Sequence, residues 1–201
     1  QLKPITLELG GHAPAIVCAD ADVARTVVTL AQIKLRNAGQ ICANPSRFLV
    51  HRSLYAQFVE AFTAVAENTA MGDGAASGTT MGPLAHARRA TAVADLVEDA
   101  RQRGARVACG GGPGFFYEPT VLADVPPEAR IWSEEPFGPL IPVMPFDTLD
   151  EAIAMANALP LGLAAFGFTQ HLESARRICE EVQAGAVAIN AVTLMQPETP
   201  F

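Results

Sequence analysis

Short apolar runs alternate with longer amphipathic segments along nearly the whole chain. In the amphipathic segments, apolar residues recur at helical spacing. Val23, Val27 and Leu30 show this spacing in the first such segment, and we expect Asp20 to cap the start of its helix. The predicted strands cover residues 4–9, 14–18, 47–51, 106–108, 119–125, 140–146, 163–168 and 186–190. The predicted helices start at residue 20 and stop near 37–39, and then cover residues 53–68, 85–103, 149–158 and 172–182.

Uniformly apolar strands separated by amphipathic helices are typical of an α/β fold, in which a mostly parallel sheet has helices on both faces. The sequence shows no internal repeat, so we assign residues 1–201 to a single α/β domain. The chain starts at Gln1, without a methionine or a leader, and stops at Phe201 after a proline-rich turn. We therefore expect it to be a fragment of a longer protein.

Composition and charge narrow the function classes. Half of the 201 residues are hydrophobic and 17% are charged, which is typical of a globular protein. The net charge of -7, without a long Lys/Arg run, argues against nucleic acid or an anionic membrane surface as the main partner. No apolar segment reaches the roughly 20 residues that span a bilayer.

The four cysteines are Cys18, Cys42, Cys109 and Cys179. No Cys-x-x-Cys pair occurs, which argues against a structural zinc site, and we predict no metal. Their low density in a chain of this size argues against a disulfide framework and favours a reducing cytoplasm. We predict that Cys18 and Cys179 are core thiols and that Cys109 ends a strand.

The glycine-rich stretches do not predict a dinucleotide site. Residues 110–114 do not form a G-x-G-x-x-G fingerprint, and neither they nor residues 72–74 lie between a strand and a helix. We interpret both as ordinary loops, so this chain carries no cradle for a dinucleotide phosphate.

Cys42 and Glu8 are the candidate reactive groups. Cys42 lies in the polar loop NAGQICAN, and Glu8 lies two residues before the Gly10–Gly11 turn. Taken alone, each has an ordinary explanation, a small buried thiol and a solvated carboxylate. Together, a thiolate nucleophile and a carboxylate base are the groups that form and then hydrolyse a thioester. Both lie near strand ends, where α/β sheets collect ligands.

The motifs LELGG with Glu8, NAGQIC with Cys42 and EEPFGP with Glu135 and Phe137 resemble the signature of the aldehyde dehydrogenase superfamily. They occur in that family's order, and Glu8 and Cys42 are 34 residues apart, as in the family. The similarity covers essentially the whole chain, including the final QPETPF. It implies the three-layer catalytic domain of that family.

The resemblance also implies residue roles. Cys42 would attack the aldehyde carbon. Its backbone N–H would donate a hydrogen bond to the oxyanion, which typically lowers the barrier by about 3 kcal/mol. Glu8 would activate the water that hydrolyses the thioester. Glu135 would bind the nicotinamide ribose of NAD or NADP. The residues implied to line the same cofactor site are Phe137, Leu9 and Gly10.

The family places a cofactor-binding domain before the LELGG segment and a subunit-pairing segment after PETPFGG. The resemblance therefore implies that these 201 residues alone do not run the NAD(P)-dependent reaction and that the parent protein is a homo-oligomer. It leaves NAD and NADP both open, because the discriminating residues belong to the first of those parts.

Arg36 is the candidate substrate residue. Its context, KLRNAGQIC, resembles the succinate-semialdehyde dehydrogenase branch, where an arginine at this place binds the far carboxylate. The ordinary alternative is a solvated cation at a helix end. Two positions depart from that branch: Asn44 replaces a second cysteine, so no regulatory disulfide is expected there, and His12, which we interpret as a turn residue, replaces Lys or Asn. Related semialdehydes and hydroxy-aldehydes remain open as substrates.

Two other functions compete with this interpretation. The first is a cysteine hydrolase in which Cys42 takes a histidine base, and the candidates are His12, His51, His86 and His171. None of the four lies in a recognisable Cys/His motif. The second is a non-catalytic fragment that retains the fold.

Overall fold

A seven-stranded sheet runs through the centre of the molecule. The computed structural model describes residues 2–5, 7–194 and 198. The strand order is β3-β4-β5-β2-β1-β6-β7, and every neighbouring pair is parallel except the antiparallel pair β3–β4. The strands are β1 (Ala13–Val17), β2 (Pro45–His51), β3 (Arg106–Gly111), β4 (Glu118–Ala123), β5 (Leu140–Phe146), β6 (Ala164–Phe168) and β7 (Ala186–Ile189).

Helices cover both faces of the sheet, so the predicted mostly parallel α/β fold is confirmed. The helices are α1 (Val23–Lys34), α2 (Tyr55–Glu67), α3 (Ala87–Gln102), α4 (Leu149–Ala156) and α5 (Leu172–Glu181). Apolar residues of α1, α2 and α3 form one core with one face of the sheet, and those of α4 and α5 form a second core with the other. In β1, Ala15 and Val17 belong to the first core and Ile16 to the second. In the described residues, no helix is long and apolar enough to cross a membrane.

The predicted strand over residues 4–9 is wrong for the part that the structure describes. Residues 2–5 and 7–10 are exposed and have no strand partner among the described residues. The side chains of Ile5, Leu7 and Leu9 are 79%, 71% and 69% exposed. An apolar alternating pattern favours a strand only where another strand completes the ladder of hydrogen bonds.

The cap predicted for α1 is also shifted. Asp22, rather than Asp20, accepts the capping hydrogen bond from the N–H of Arg25. The Asp20 carboxylate instead accepts hydrogen bonds from Thr169 Oγ1 and from the N–H of Gln170. Asp20 therefore joins the ends of β1 and β6 instead of starting the helix.

The structure confirms one of the two predicted core thiols. Cys18 is buried, and burial raises the pKa of its thiol to about 11. Cys179 is exposed, because its neighbour Ile178 takes the inward position on α5 and the next residue points away from the sheet. Cys109 lies inside β3, which continues past the predicted strand to Gly111.

Candidate active site

The three sequence motifs converge at the amino ends of three neighbouring strands. Gly10–His12 precede β1, the Cys42 loop precedes β2, and residues 135–139 precede β5. Since these strands are adjacent and parallel in the order β5-β2-β1, the segments that enter them lie at the same edge of the sheet. The expectation that ligands collect at the carboxyl ends of the strands does not describe this placement.

Two glycines allow the segments to meet. A Cβ atom at Gly11 would lie 2.7 Å from the carbonyl oxygen of Cys42, and one at Gly10 would lie 2.5 Å from Oε2 of Glu135. The N–H of Gly11 donates a hydrogen bond of 3.3 Å to Oε1 of Glu135. The Gly10–Gly11 turn therefore touches both the candidate nucleophile's loop and the candidate cofactor carboxylate.

A strained turn leads from α1 to Cys42. Asn37, Ala38 and Gly39 have φ angles of 52°, 52° and 74°, which are left-handed values rare for residues with a side chain. The predicted stop of the helix near residues 37–39 is late, because α1 already ends at Lys34 and residues 36–39 form a separate 3-10 turn. A Cβ atom at Gly39 would collide with the carbonyl oxygen of Gly138, so this turn also packs against the loop that carries Glu135.

Hydrogen bonds hold the Cys42 loop on both sides. Gln40 donates to the carbonyl of Pro83 and accepts from the N–H of Ala85, at 3.4 and 2.8 Å. Asn44 Nδ2 donates to the carbonyls of Ile33 and Lys34, at 3.0 and 3.3 Å, and so binds the end of α1. Cys42 itself is half-buried.

Glu8 and Leu9 precede this junction. Both are exposed, and the Glu8 carboxylate makes no hydrogen bond or ion pair with the described residues. The structure thus places the LELGG turn against Cys42 but leaves the Glu8 side chain in solvent instead of the partly dry setting that would suit a base.

Glu135 and Phe137 lie beside two cations. Glu135 is half-buried, and burial raises its pKa, while the Gly11 hydrogen bond and the charges of Arg89 and Lys34 lower it. The guanidinium of Arg89 lies 5.1 Å from the centre of the Phe137 ring. Phe137 has a φ of 38°, a strained value for a bulky residue, which fits a position whose backbone is fixed by function.

Lys34 is a fully buried lysine that the sequence analysis missed. It is 1% exposed, and its ammonium makes no hydrogen bond or ion pair with the described residues. Burial lowers its pKa to about 7, although the nearby charge of Glu135 raises it. Lys34 continues the helical spacing of Val27, Leu30 and Ala31, which is the signal that could have placed it inside.

His12 is buried, so its interpretation as a turn residue is wrong. Its Nδ1 lies 2.7 Å from Ser46 Oγ, and its Nε2 lies 2.9 Å from the carbonyl oxygen of Ile131. Burial, with smaller contributions from the charges of Arg47 and Lys34, lowers the pKa of His12 to about 3. The imidazole is therefore neutral, and because a carbonyl can only accept, Nε2–H donates to Ile131 and Nδ1 accepts from Ser46.

Arg47 is a second buried cation near His12. Its Nε donates to the carbonyl of His12, and its two terminal nitrogens donate to the backbone carbonyls of Met155 and Ala156 at the end of α4. Burial lowers the pKa of Arg47 to about 10. Arg47 thus ties the start of β1 to a helix on the other face of the sheet.

The structure offers no histidine base for Cys42 among the described residues. The His12 ring is hydrogen-bonded to Ser46 and Ile131, and the His51 ring to Ser53. The His86 ring accepts from the N–H of Arg89. Among the described residues, no hydrogen bond joins a histidine to Cys42. The arrangement that a cysteine hydrolase of this kind requires is therefore not present in the described part of the chain.

Arg36 lies in a cavity of about 750 Å³ between the ends of α1 and α2. Its side chain is exposed, and polar residues of the same cavity include Asn68, Thr69 and Thr80. Cys42 does not line this cavity. The structure therefore brings Cys42, Gly10 and Glu135 together but leaves Arg36 in a neighbouring opening.

Comparison with known proteins accounts for the shared motifs. Residues 1–201 match the model of the family described as "Aldehyde dehydrogenase family". Over its whole length the chain is 50% identical to the 4-(hydroxymethyl)benzenesulfonate dehydrogenase TsaD1 of Comamonas testosteroni, and the alignment covers 42% of that protein. It is 38% identical to the succinate-semialdehyde dehydrogenase [NADP(+)] 1 of Mycobacterium ulcerans, and this alignment covers 45% of that protein.

A solved structure gives the same result for the fold. The structure of a succinate-semialdehyde dehydrogenase from Burkholderia pseudomallei superposes with a TM-score of 0.93 and 37% identity. The alignment covers 98% of this chain and 42% of that protein. The 201 residues thus span less than half the length of these similar proteins.

Proposed function

This chain belongs to the aldehyde dehydrogenase family, and from that membership we propose that the protein oxidises an aldehyde to a carboxylic acid with NAD or NADP. The observation that carries the proposal is the junction of Gly11 with Cys42 and Glu135, where a thiol, a backbone turn and a carboxylate share one edge of the sheet. Three motifs that are distant in sequence meet there.

In the proposed reaction, the Cys42 thiolate forms a carbon–sulfur bond to the aldehyde carbon and gives a thiohemiacetal. The Cys42 N–H donates to the oxygen that gains negative charge. Loss of a hydride from that carbon converts the adduct to a thioester. Glu8 then takes a proton from water, the resulting hydroxide adds to the thioester, and the carbon–sulfur bond breaks to release the acid and the thiolate.

The residues present fit a nicotinamide cofactor. Among the described residues, Glu135 accepts one hydrogen bond, from Gly11, so its carboxylate has capacity left for the ribose hydroxyls. We propose that Gly10, which packs against this carboxylate, lines the cofactor site together with Leu9, its neighbour in the chain, and Phe137, two residues after Glu135. When bound, the cofactor accepts the hydride. The rest of the cofactor site belongs, in this proposal, to parts of the protein outside these residues, including its choice between NAD and NADP.

We propose an aldehyde with a second, anionic group as the substrate. The two relatives named above carry a sulfonate and a succinate in their names. Arg36 is exposed in a cavity of about 750 Å³, next to the polar side chains of Asn68 and Thr80, and six residues before Cys42. A guanidinium there can bind a carboxylate or a sulfonate with two parallel hydrogen bonds. A carboxylate-bearing semialdehyde such as succinate semialdehyde fits this description.

The test is turnover by the full-length protein in a reducing buffer, which is the cytoplasm-like setting that we propose for it. Aldehyde-dependent reduction of NAD or NADP should be lost in Cys42→Ala and retained in Cys179→Ala, the matched control at an exposed thiol. Turnover that survives Cys42→Ala, or ester hydrolysis as the sole activity, would reject the proposal. We also propose that the protein is a homo-oligomer, so it should be assayed in its native assembly.

A further inference from the structure

His12 contacts all three segments of the proposed site. Through its own backbone it follows the Gly10–Gly11 turn, its Nδ1 accepts from Ser46 after the Cys42 loop, and its Nε2–H donates to Ile131 before the Glu135 loop. Each of the three anchors lies four residues from a proposed site residue: His12 from Glu8, Ser46 from Cys42 and Ile131 from Glu135.

We propose that His12 is a positioning residue: it joins the three chain segments that carry the proposed base, nucleophile and cofactor carboxylate. This inference rests on the proposed function. The structure around the ring supports it, since His12 is 1% exposed and Ser46 is 5% exposed, so water cannot replace either hydrogen bond. Both ring nitrogens are already hydrogen-bonded inside the protein, so neither is left for a substrate, and His12 acts only through its neighbours.

The backbone of His12 is fixed as firmly as its ring. Its carbonyl accepts a hydrogen bond of 2.9 Å from Arg47 Nε, and the next residue, Ala13, pairs with Pro45 at the start of the β1–β2 ladder. A ring held on a rigid backbone can transmit a fixed spacing to Ser46 and Ile131. A histidine that merely filled space would need neither of the two ring hydrogen bonds, to Ser46 and to Ile131.

Hydrogen exchange with mass spectrometry separates these two roles. In His12→Leu, we expect exchange to accelerate by about tenfold or more in residues 40–46 and 129–135 together. Gln can reproduce the Nε2 donor, so His12→Gln should keep residues 129–135 protected and loosen residues 40–46. Asn can reproduce the Nδ1 acceptor, so His12→Asn should show the reverse. If His12→Leu does not fold, the contrast between the Gln and Asn variants is the test.

Ile178→Ala is the control, because Ile178 is fully buried in the second core, away from the three segments. Compared at equal loss of thermal stability, it should not accelerate exchange selectively in residues 40–46 and 129–135. The inference is overturned if Gln and Asn behave alike, or if His12→Leu loosens the whole sheet as the control does.

Turnover provides the functional readout. In the full-length protein, His12→Gln and His12→Asn should each lower kcat by about tenfold or more, with a smaller change in the KM for the aldehyde, because misplaced groups slow the chemistry more than binding. An unchanged kcat overturns the inference. If the parent protein does not oxidise aldehydes at all, the proposed function fails, while the exchange experiment still decides whether His12 joins the segments.

Discussion

The N–H of Gly11 donates a hydrogen bond of 3.3 Å to Oε1 of Glu135, although 124 residues separate the two. Gly11 also packs directly against the carbonyl oxygen of Cys42. One glycine therefore contacts both of the other motifs. This is possible because the strands that follow the three motifs are neighbours in the sheet.

The first prediction concerns Gly11→Ala. The new methyl group would lie 2.7 Å from the Cys42 carbonyl oxygen and 3.3 Å from Cβ of Leu163, so the two segments must separate. We expect the free energy of unfolding to fall by about 1–3 kcal/mol, as for other overpacked sites. Urea unfolding measures it. Gly74→Ala is the control, since a Cβ atom at Gly74 meets nothing within 4 Å, and equal losses in both variants would contradict the proposed junction.

The second prediction concerns Arg47→Lys. The guanidinium donates to three carbonyls, and the side chain is 3% exposed. A lysine ammonium is a single nitrogen and cannot reach all three carbonyls, so we expect the free energy of unfolding to fall by about 2–4 kcal/mol. Arg52→Lys, which alters an exposed ion pair with Asp147, should change stability little. Comparable losses in the two variants would show that Arg47 is not the structural tie described here.

The third prediction concerns pH and Lys34. Its pKa is about 7 in the folded protein against an ordinary value of 10.5, so the unfolded chain binds more protons between these pH values. The free energy of unfolding should therefore gain a contribution from Lys34 that grows as the pH rises from about 7 to 10.5. Lys34→Met should lack this contribution and be at least as stable at neutral pH, because a buried charge without an ion-pair partner among the described residues is gone.

Urea unfolding of both proteins across that pH range measures the effect. The difference in stability between the parent and Lys34→Met should shrink steadily as the pH rises. A constant difference across the range would mean that Lys34 has an ordinary pKa and is not held in a dry site.

Much of the fold could be predicted from local patterns, because apolar runs and helical spacing reflect burial at each position. The apolar residues of β2, β5 and α3, for example, were sufficient to locate those elements. The strand expected over residues 4–9 failed because a strand depends on a distant partner, which the local pattern does not reveal. Likewise, the sequence indicates that Cys42 precedes a strand, but not that this strand lies between β1 and β5.

The polar interior was harder to predict. Lysine and arginine are mostly exposed in proteins and histidine is intermediate, so residue type alone does not predict that Lys34, Arg47 and His12 are buried. For Arg47 and His12, only their three-dimensional partners justify the buried positions, and those partners are carbonyls and a hydroxyl that leave no mark on the sequence. The helical spacing of Lys34 with Leu30 is the exception, and it was visible from the start.

The fourth prediction concerns substrate choice. In the full-length protein, Arg36→Gln should raise the KM for a carboxylate- or sulfonate-bearing aldehyde by roughly 10–100-fold, the effect of one charge-assisted hydrogen-bonded pair. The KM for a neutral aldehyde of similar size should stay the same. Arg88→Gln, at another exposed arginine, is the control. A similar rise for both aldehydes would show that Arg36 supports the structure and does not select the anion.

The most direct test of the central claim is to look for the acyl group on Cys42. In the full-length protein with Glu8→Gln, aldehyde and oxidised cofactor should form the thioester, while its hydrolysis slows. Mass spectrometry of quenched, digested protein should then find the acyl group on the peptide containing Cys42 and not on those containing Cys109 or Cys179. An acyl group on another residue, or unchanged turnover without any adduct, would contradict the account.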